Sequence, residues 1–171
     1  FSSLLRAWQG VQVSCPRVIL YFVGAGDRRP WEDYARRLGV APSVRFMGPC
    51  LDVDVWFRRA AVSVLPSRRE GMSNALLEAQ SWGVPAVVSD IPANRAIVDD
   101  GGNGFVVPVG DDRALARRLS DLLASPALRI EMGRLARQKM ERQFDVERIA
   151  ERLIGVYATI RQQVNSTMLH S

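Results

Sequence analysis

Two carboxylates, Glu70 and Glu78, stand eight residues apart around a helix start, in the stretch Arg69-Glu70-Gly71-Met72-Ser73-Asn74-Ala75-Leu76-Leu77-Glu78. An ionised carboxylate only accepts hydrogen bonds, and its two oxygens suit a pair of hydroxyl groups. Glu70 precedes the helix and sits beside Gly71, whose missing Cβ lets a ligand approach the backbone and permits positive φ. Glu78 lies roughly 8 Å into the helix at about 1.5 Å per residue, among Leu76, Leu77 and Ala79. A helix this apolar is expected to be covered on more than one side. A carboxylate buried there without partners is strongly disfavoured or takes up a proton. Two adjacent sugar hydroxyls would satisfy it. An outlet to solvent, or an arginine at the helix edge, would serve equally well.

Between the two acids, Gly71, Met72, Ser73 and Asn74 open the helix. A helix N-terminus offers free N–H groups and a partial positive charge, which suit a phosphate. Glu70 would repel an anion placed against it, so its natural partners are neutral hydroxyls beside the phosphates. Arg95 follows Asp90-Ile91-Pro92-Ala93-Asn94 and suits an anion at the next strand end, or simply a solvated helix face.

Other constellations point to less. Gly24-Ala25-Gly26 follows an apolar run, but Arg29 stands where a dinucleotide fingerprint has its third glycine, so a tight turn is the reading. Asp52-Val53-Asp54 has the look of a metal-binding pair, yet its place before a helix favours capping. His170 is the only histidine and sits in the C-terminal tail, which leaves no Ser-His-Asp or Cys-His arrangement. No metal and no cofactor are expected.

The elements that must position these residues alternate. Short β-branched runs at 17–23, 43–47, 61–65, 85–89 and 104–107 read as buried parallel strands. Helical periods fill 30–38, 52–60, 73–82, 92–98 and 111–123, and two more follow at 126–142 and 146–164. The chain opens on Phe-Ser-Ser-Leu-Leu-Arg-Ala-Trp, which reads as part of a further helix. Pro30, Asp52, Ser73 and Asp111 suit helix starts. The pattern predicts an α/β fold: a single Rossmann-like domain over 1–164 with one parallel sheet and helices on both faces, then a disordered tail over 165–171. Such domains bind ligands beyond the C-terminal ends of their strands, here after Val23, Leu65 and Ser89.

The 171 residues, 47% of them apolar, suffice for one proper core. The net charge of +5 comes almost wholly from arginine, since Lys139 is the only lysine. The arginines are interleaved with acids, so anionic ligands fit better than nucleic acid. Cys15 and Cys50 lack metal or disulfide spacing, which suggests reduced thiols and a cytoplasmic protein. No apolar run reaches the roughly 20 residues of a membrane span.

Taken together, Gly48-Pro49-Cys50-Leu51-Asp52, Pro66-Ser67-Arg68-Arg69-Glu70-Gly71, Ala75-Leu76-Leu77-Glu78-Ala79, Gly83-Val84-Pro85-Ala86-Val87, Asp90 and Gly104-Phe105-Val106-Val107 resemble family 4 retaining glycosyltransferases. The likeness is to the C-terminal, donor-binding half of their two-domain GT-B architecture and covers about 4–157. It implies transfer of a sugar from a nucleotide-sugar donor to an acceptor hydroxyl with retained configuration, without a metal, in glycan or polysaccharide assembly. It implies that Glu70 contacts the donor sugar at the reaction centre. Gly71, Met72, Ser73, Asn74 and Arg95 would hold the donor, and Glu78 its ribose.

The resemblance further implies a first strand with an Arg and a Lys upstream of Phe1. An N-terminal domain carrying the site for an acceptor glycan or lipid-linked glycan would also lie there. By itself the chain would then be inactive. Its last helix, from Phe144, would expose an apolar face that favours self-association, and the upstream domain could hold the protein peripherally at the inner membrane face. Pro92, Ala93 and Ala96 stand where the family often has Gly-Gly and then Glu. Two alternatives stay open: a nucleotide-sugar epimerase of GT-B shape, and a non-catalytic nucleotide-binding module.

Overall fold

The computed structural model describes residues 1–144. The expected helix at 146–164 and the tail at 165–171 lie outside the described residues. The chain divides into two compact units, Phe1–Arg137 and Gln138–Ser171. The first holds the described strands, and the described part of the second is mainly the end of the helix over Pro126–Gln143.

Elements alternate as the apolar pattern requires: α1 (Ser2–Ser14), β1 (Leu20–Val23), α2 (Arg29–Arg37), β2 (Val44–Gly48), α3 (Asp54–Phe57), β3 (Ser63–Leu65), α4 (Asn74–Ser81), β4 (Ala86–Ser89), α5 (Pro92–Ile97), β5 (Gly104–Val107), α6 (Asp112–Ala124) and α7 (Pro126–Gln143). All pairings between these strands are parallel. The strands nevertheless form two ladders instead of the expected single sheet: β1 pairs with β2, and β3, β4 and β5 pair in that order. The physical reason is that β1 and β3 each keep one unpaired edge, and no described strand lies between them to bridge the ladders.

Helices cover both faces of the strands. On one face α1 packs on α6 and α2, and Leu5, Trp8 and Val11 of α1 share a core with Leu20, Val44, Val87, Leu115 and Leu119. Successive strand residues point to opposite faces, so Ala86 and Val88, fully buried beside Val87, face the other way. There α4 packs on β3, β4 and α3. Tyr21 likewise turns from the α1 side to meet Trp56 of α3 in a tilted ring contact, with centroids 5.2 Å apart.

Two expected caps form. The Ser73 and Asp111 side chains accept from the amides of Leu76 and Ala114, three residues on. Asp52 does not cap. Helix α3 is a single turn that starts after Val53 without a side-chain cap. Beyond Phe57 the chain tightens into three-residue turns, Arg59 to Trp56 and Ala60 to Phe57, which ends the helix well before the expected residue 60. Asp54 is taken up elsewhere: it accepts from Trp82 Nε1 at 2.9 Å and ties α3 to the end of α4.

One glycine is required by close approach. A Cβ on Gly104 would lie 2.4 Å from the Ala86 carbonyl oxygen and 2.9 Å from Val98, so β5 can pair with β4 only because position 104 has no side chain.

Candidate functional site

Parallel strands place their C-terminal ends on one edge. Leu65 is in register with Val88, so Pro66 and Ser67 leave β3 beside Ser89, the last residue of β4. The Ser89 hydroxyl donates to the Ser67 carbonyl. Asn94 of α5 in turn donates Nδ2 to the Ser89 carbonyl at 2.9 Å and to the Ser89 hydroxyl at 3.3 Å. Asn94 is fully buried, and its Oδ1 is a buried acceptor with no hydrogen-bond partner among the described residues. This chain of contacts fixes the start of the loop that carries Glu70.

The loop then runs exposed through Arg68, Arg69, Glu70, Gly71 and Met72 until Ser73 turns inward and caps α4. The Ser73 carbonyl accepts from both Leu76 and Leu77. The amides of residues 71–75 donate to no acceptor among the described residues. They stand free at a helix N-terminus, where the partial positive charge is concentrated. Gly71 is not in the positive-φ region, and a Cβ there would meet nothing within 4 Å. Its contribution is open space and not a bend.

Of the two settings open to Glu78, burial against a ligand or an outlet to solvent, the fold gives the outlet to solvent. Helix α4 buries Leu76, Ala79 and Gln80, a stripe at i, i+3 and i+4 that faces the strands. Glu78 falls off that stripe and is exposed, like Glu70. Neither carboxylate has a hydrogen bond or ion pair among the described residues. The buried polar residue of α4 is Gln80. Its Nε2 donates to the Val84 carbonyl at 3.0 Å, and its Oε1 accepts from Asn103 Nδ2 at 2.6 Å. Asn103 also donates to the Ile97 carbonyl and accepts from the Asp99 amide. The pair locks α4 to the turn before β5 and so sets the direction in which α4 points its N-terminus.

Arg95 lies at the same strand edge but is engaged. Its Nε and one terminal nitrogen grip both oxygens of Asp90, at 2.5 and 2.8 Å. Those hydrogen bonds hold the Asp90 carboxyl below, and the Arg95 guanidinium above, their ordinary values. Both side chains are exposed, so the pair adds little stability. It leaves Arg95 with donors still open to a ligand. At the β1 end, Gly24 and Gly26 adopt φ of 146° and 138°, a turn that leads through Asp27 into the start of α2.

The mouth therefore gathers free amides, two unpaired carboxylates and a tethered arginine at one edge of a parallel ladder. Residues 1–125 match the model of the family described as glycosyl transferases group 1. The chain belongs to that family. A phosphatidyl-myo-inositol mannosyltransferase of Mycobacterium leprae is 35% identical over 162 residues, 93% of this chain and 42% of that protein. The structure of Anabaena HepE in complex with UDP-glucose superimposes with a TM-score of 0.82 at 21% identity, over 92% of this chain and 44% of that one. The C-terminal domain of the group 1 glycosyltransferase LpcC from Francisella tularensis gives 0.76 at 19% identity, over 85% of this chain and 79% of that domain. The chain thus spans about two fifths of the length of the full proteins it matches. Its fold is that of a C-terminal GT-B domain.

Within this glycosyltransferase chain, Ser89 and Asn94 are the site-forming residues that the sequence reading left out. Their signal was a polar residue closing the otherwise apolar run Ala86-Val87-Val88-Ser89, followed five positions later by an amide.

Proposed function

We propose that this chain is the donor-binding half of a retaining glycosyltransferase that moves a sugar from a nucleotide sugar to an acceptor hydroxyl. The observation that carries the reading is the row of amides at residues 71–75 without an acceptor among the described residues, flanked by two acids with no partner among them. Donor diphosphate would accept from those amides, where the helix dipole favours negative charge. Glu78, exposed on α4, would accept from the ribose hydroxyls, and Glu70 from hydroxyls of the sugar. Gly71 leaves room for the ligand, and Met72, Ser73 and Asn74 complete the turn around it. Arg95 would add a cation while keeping its hold on Asp90.

In such a transfer the bond between the anomeric carbon and the diphosphate oxygen breaks, and negative charge grows on the leaving group. Amides fixed by a capped helix stabilise that charge without reorganising, which is the largest contribution a site of this kind makes. No metal ion is required for that step. The HepE complex with UDP-glucose supports a nucleotide-sugar donor on this fold. The mannosyltransferase relative supports a lipid or glycan acceptor. The acceptor would be bound by a partner domain of the whole protein, without which the chain by itself does not turn over. The reaction would take place in the cytoplasm or at the inner membrane face. No helix among the described residues is long and apolar enough to cross a membrane.

The test is donor affinity of the full-length protein, wild type against Glu78→Gln, with UDP- and GDP-sugars. A loss of about tenfold or more, equal to about 1.4 kcal/mol, is expected for the sugar nucleotide that binds. Unchanged affinity would contradict the ribose-holding role.

A further inference from the structure

Three arginines converge on a groove that the donor reading does not use. Among the described strands β2 pairs only with β1. A cavity of about 360 Å³ lies between β2 and α2, walled by Arg28, Glu32, Arg36 and Arg45 over a floor that includes the buried Ala35 and Val44. Residues 28, 32, 35 and 36 fall on one face of α2, while Trp31 and Tyr34 of the same helix pack on the core.

Each guanidinium is anchored from one side. Arg28 Nε forms an ion pair with Glu32 at 3.2 Å, and one terminal nitrogen reaches the Phe46 carbonyl at 3.5 Å. Arg36 donates one terminal nitrogen to Asp33. Arg45 donates one terminal nitrogen to the Pro42 and Val44 carbonyls, both at 2.9 Å. The other terminal nitrogen of each arginine has no hydrogen-bond acceptor among the described residues. Charged side chains on an edge strand keep it from pairing with another chain. Arg28 and Arg45 do this by occupying β2 carbonyls, so the occupant of the groove is not an added strand.

Edge protection does not account for the open donors or for the charge. Three guanidinium groups and one carboxylate give the lining a formal +2. Arg28 is also the N-cap residue of α2 and makes no side-chain cap there, at the pole where the helix dipole favours anions over cations. Helix stability gives no reason for a cation at that place, whereas a bound anion does.

We propose that the groove between α2 and β2 is a second anion site, which takes a phosphate monoester. A monoester carries about −1.5 to −2 at neutral pH and three acceptor oxygens, which match the lining charge and the three guanidinium groups. Guanidinium forks bind phosphate oxygens in pairs. A carboxylate, with one charge and two oxygens, would leave one arginine unmatched. The volume falls in the range of small-molecule sites, about 300–1,000 Å³, so it has room for an organic body beside the phosphate. Free metabolites and lipid headgroups both carry this chemistry, and the test separates them. The mouth is built on β3, β4, α4 and α5, and the groove on α2 and β2, so the inference does not rest on the donor reading.

The test compares the full-length wild type with the double variant Arg36→Gln, Arg45→Gln. Both side chains are exposed, so the melting temperature should not change. The first arm titrates sn-glycerol 3-phosphate and inorganic phosphate by calorimetry, and follows the Nε–H resonances of Arg28, Arg36 and Arg45 by NMR. Glycerol 3-phosphate should shift these resonances and bind more tightly than inorganic phosphate, and the double variant should lose about tenfold or more in affinity. The second arm sediments the protein with phosphatidylcholine vesicles, with and without phosphatidic acid. Binding to the phosphatidic acid vesicles that the double variant loses, without binding of the soluble monoester, assigns the phosphate to a lipid headgroup. Silence in both arms, or binding that the double variant keeps in full, would overturn the proposal. Inorganic phosphate binding as tightly as glycerol 3-phosphate would overturn the monoester assignment. Glu78→Gln, which weakens donor binding, should leave glycerol 3-phosphate affinity unchanged; a parallel loss would place that ligand in the donor mouth and overturn the second site.

Discussion

Asn94 reaches back five residues and donates its amide to the Ser89 carbonyl at 2.9 Å, while Ser89 donates onward to the Ser67 carbonyl. Two strand ends, a helix start and the Glu70 loop are thereby joined through three polar residues. Asn94→Ala removes both donations in a fully buried place and leaves the Ser89 carbonyl without that partner. A loss of about 1–3 kcal/mol is expected, read as a lower urea midpoint with an unchanged slope. Ser89→Ala should cost less, about 0.5–1.5 kcal/mol, and weaken donor binding because the loop loses its tether.

Glu78 and Gln80 make opposite predictions from the same helix. Glu78 is exposed, so Glu78→Gln should leave stability within about 0.5 kcal/mol of the wild type while lowering donor affinity. Gln80 is fully buried and bonded to Asn103 and Val84. Gln80→Leu should destabilise the fold by about 1–3 kcal/mol, because one Asn103 N–H and the Val84 carbonyl each lose their bond to Gln80 in a buried place. Thermal melts and donor titrations on both variants check the contrast.

The Gly104→Ala variant places a methyl carbon 2.4 Å from the Ala86 carbonyl oxygen. Neither backbone can give way without breaking the β4–β5 ladder. A loss of about 1–3 kcal/mol is expected, visible as a fall in melting temperature. A variant as stable as the wild type would show that the ladder shifts freely there.

The Asp90–Arg95 pair sets a pH dependence. The hydrogen bonds from Arg95 depress the Asp90 carboxyl in the folded state. Its small stabilising contribution is therefore complete above the ordinary aspartate value of about 3.9. It is lost as pH falls below that value and through the depressed one. In Arg95→Gln the Asp90 carboxyl should titrate near its ordinary value, measured by carbon NMR of the side chain. An unchanged titration would show that the pair does not persist in solution.

Helix starts and strand cores could be read from residue types because they rest on local chemistry. Ser73 and Asp111 cap as their positions demand, and 104–107 is a strand with the expected ends. The setting of Glu78 stayed open because an apolar composition does not say which side of a helix is packed. The stripe Leu76, Ala79, Gln80 does, and Glu78 lies outside it. The division into two ladders was not legible because strand pairing is decided between segments far apart in the chain. Asp54 shows the same limit: next to Asp52 it looks like a cap, whereas its partner is the distant Trp82.

The most direct measurement is hydrogen exchange of the amides of residues 71–75 in the full-length protein, free and saturated with UDP-glucose or GDP-mannose, whichever binds. These amides have no acceptor among the described residues, so they are expected to exchange rapidly without ligand. Bound diphosphate should slow them by about tenfold or more. Unchanged exchange with the sugar nucleotide bound would contradict the donor site at the start of α4.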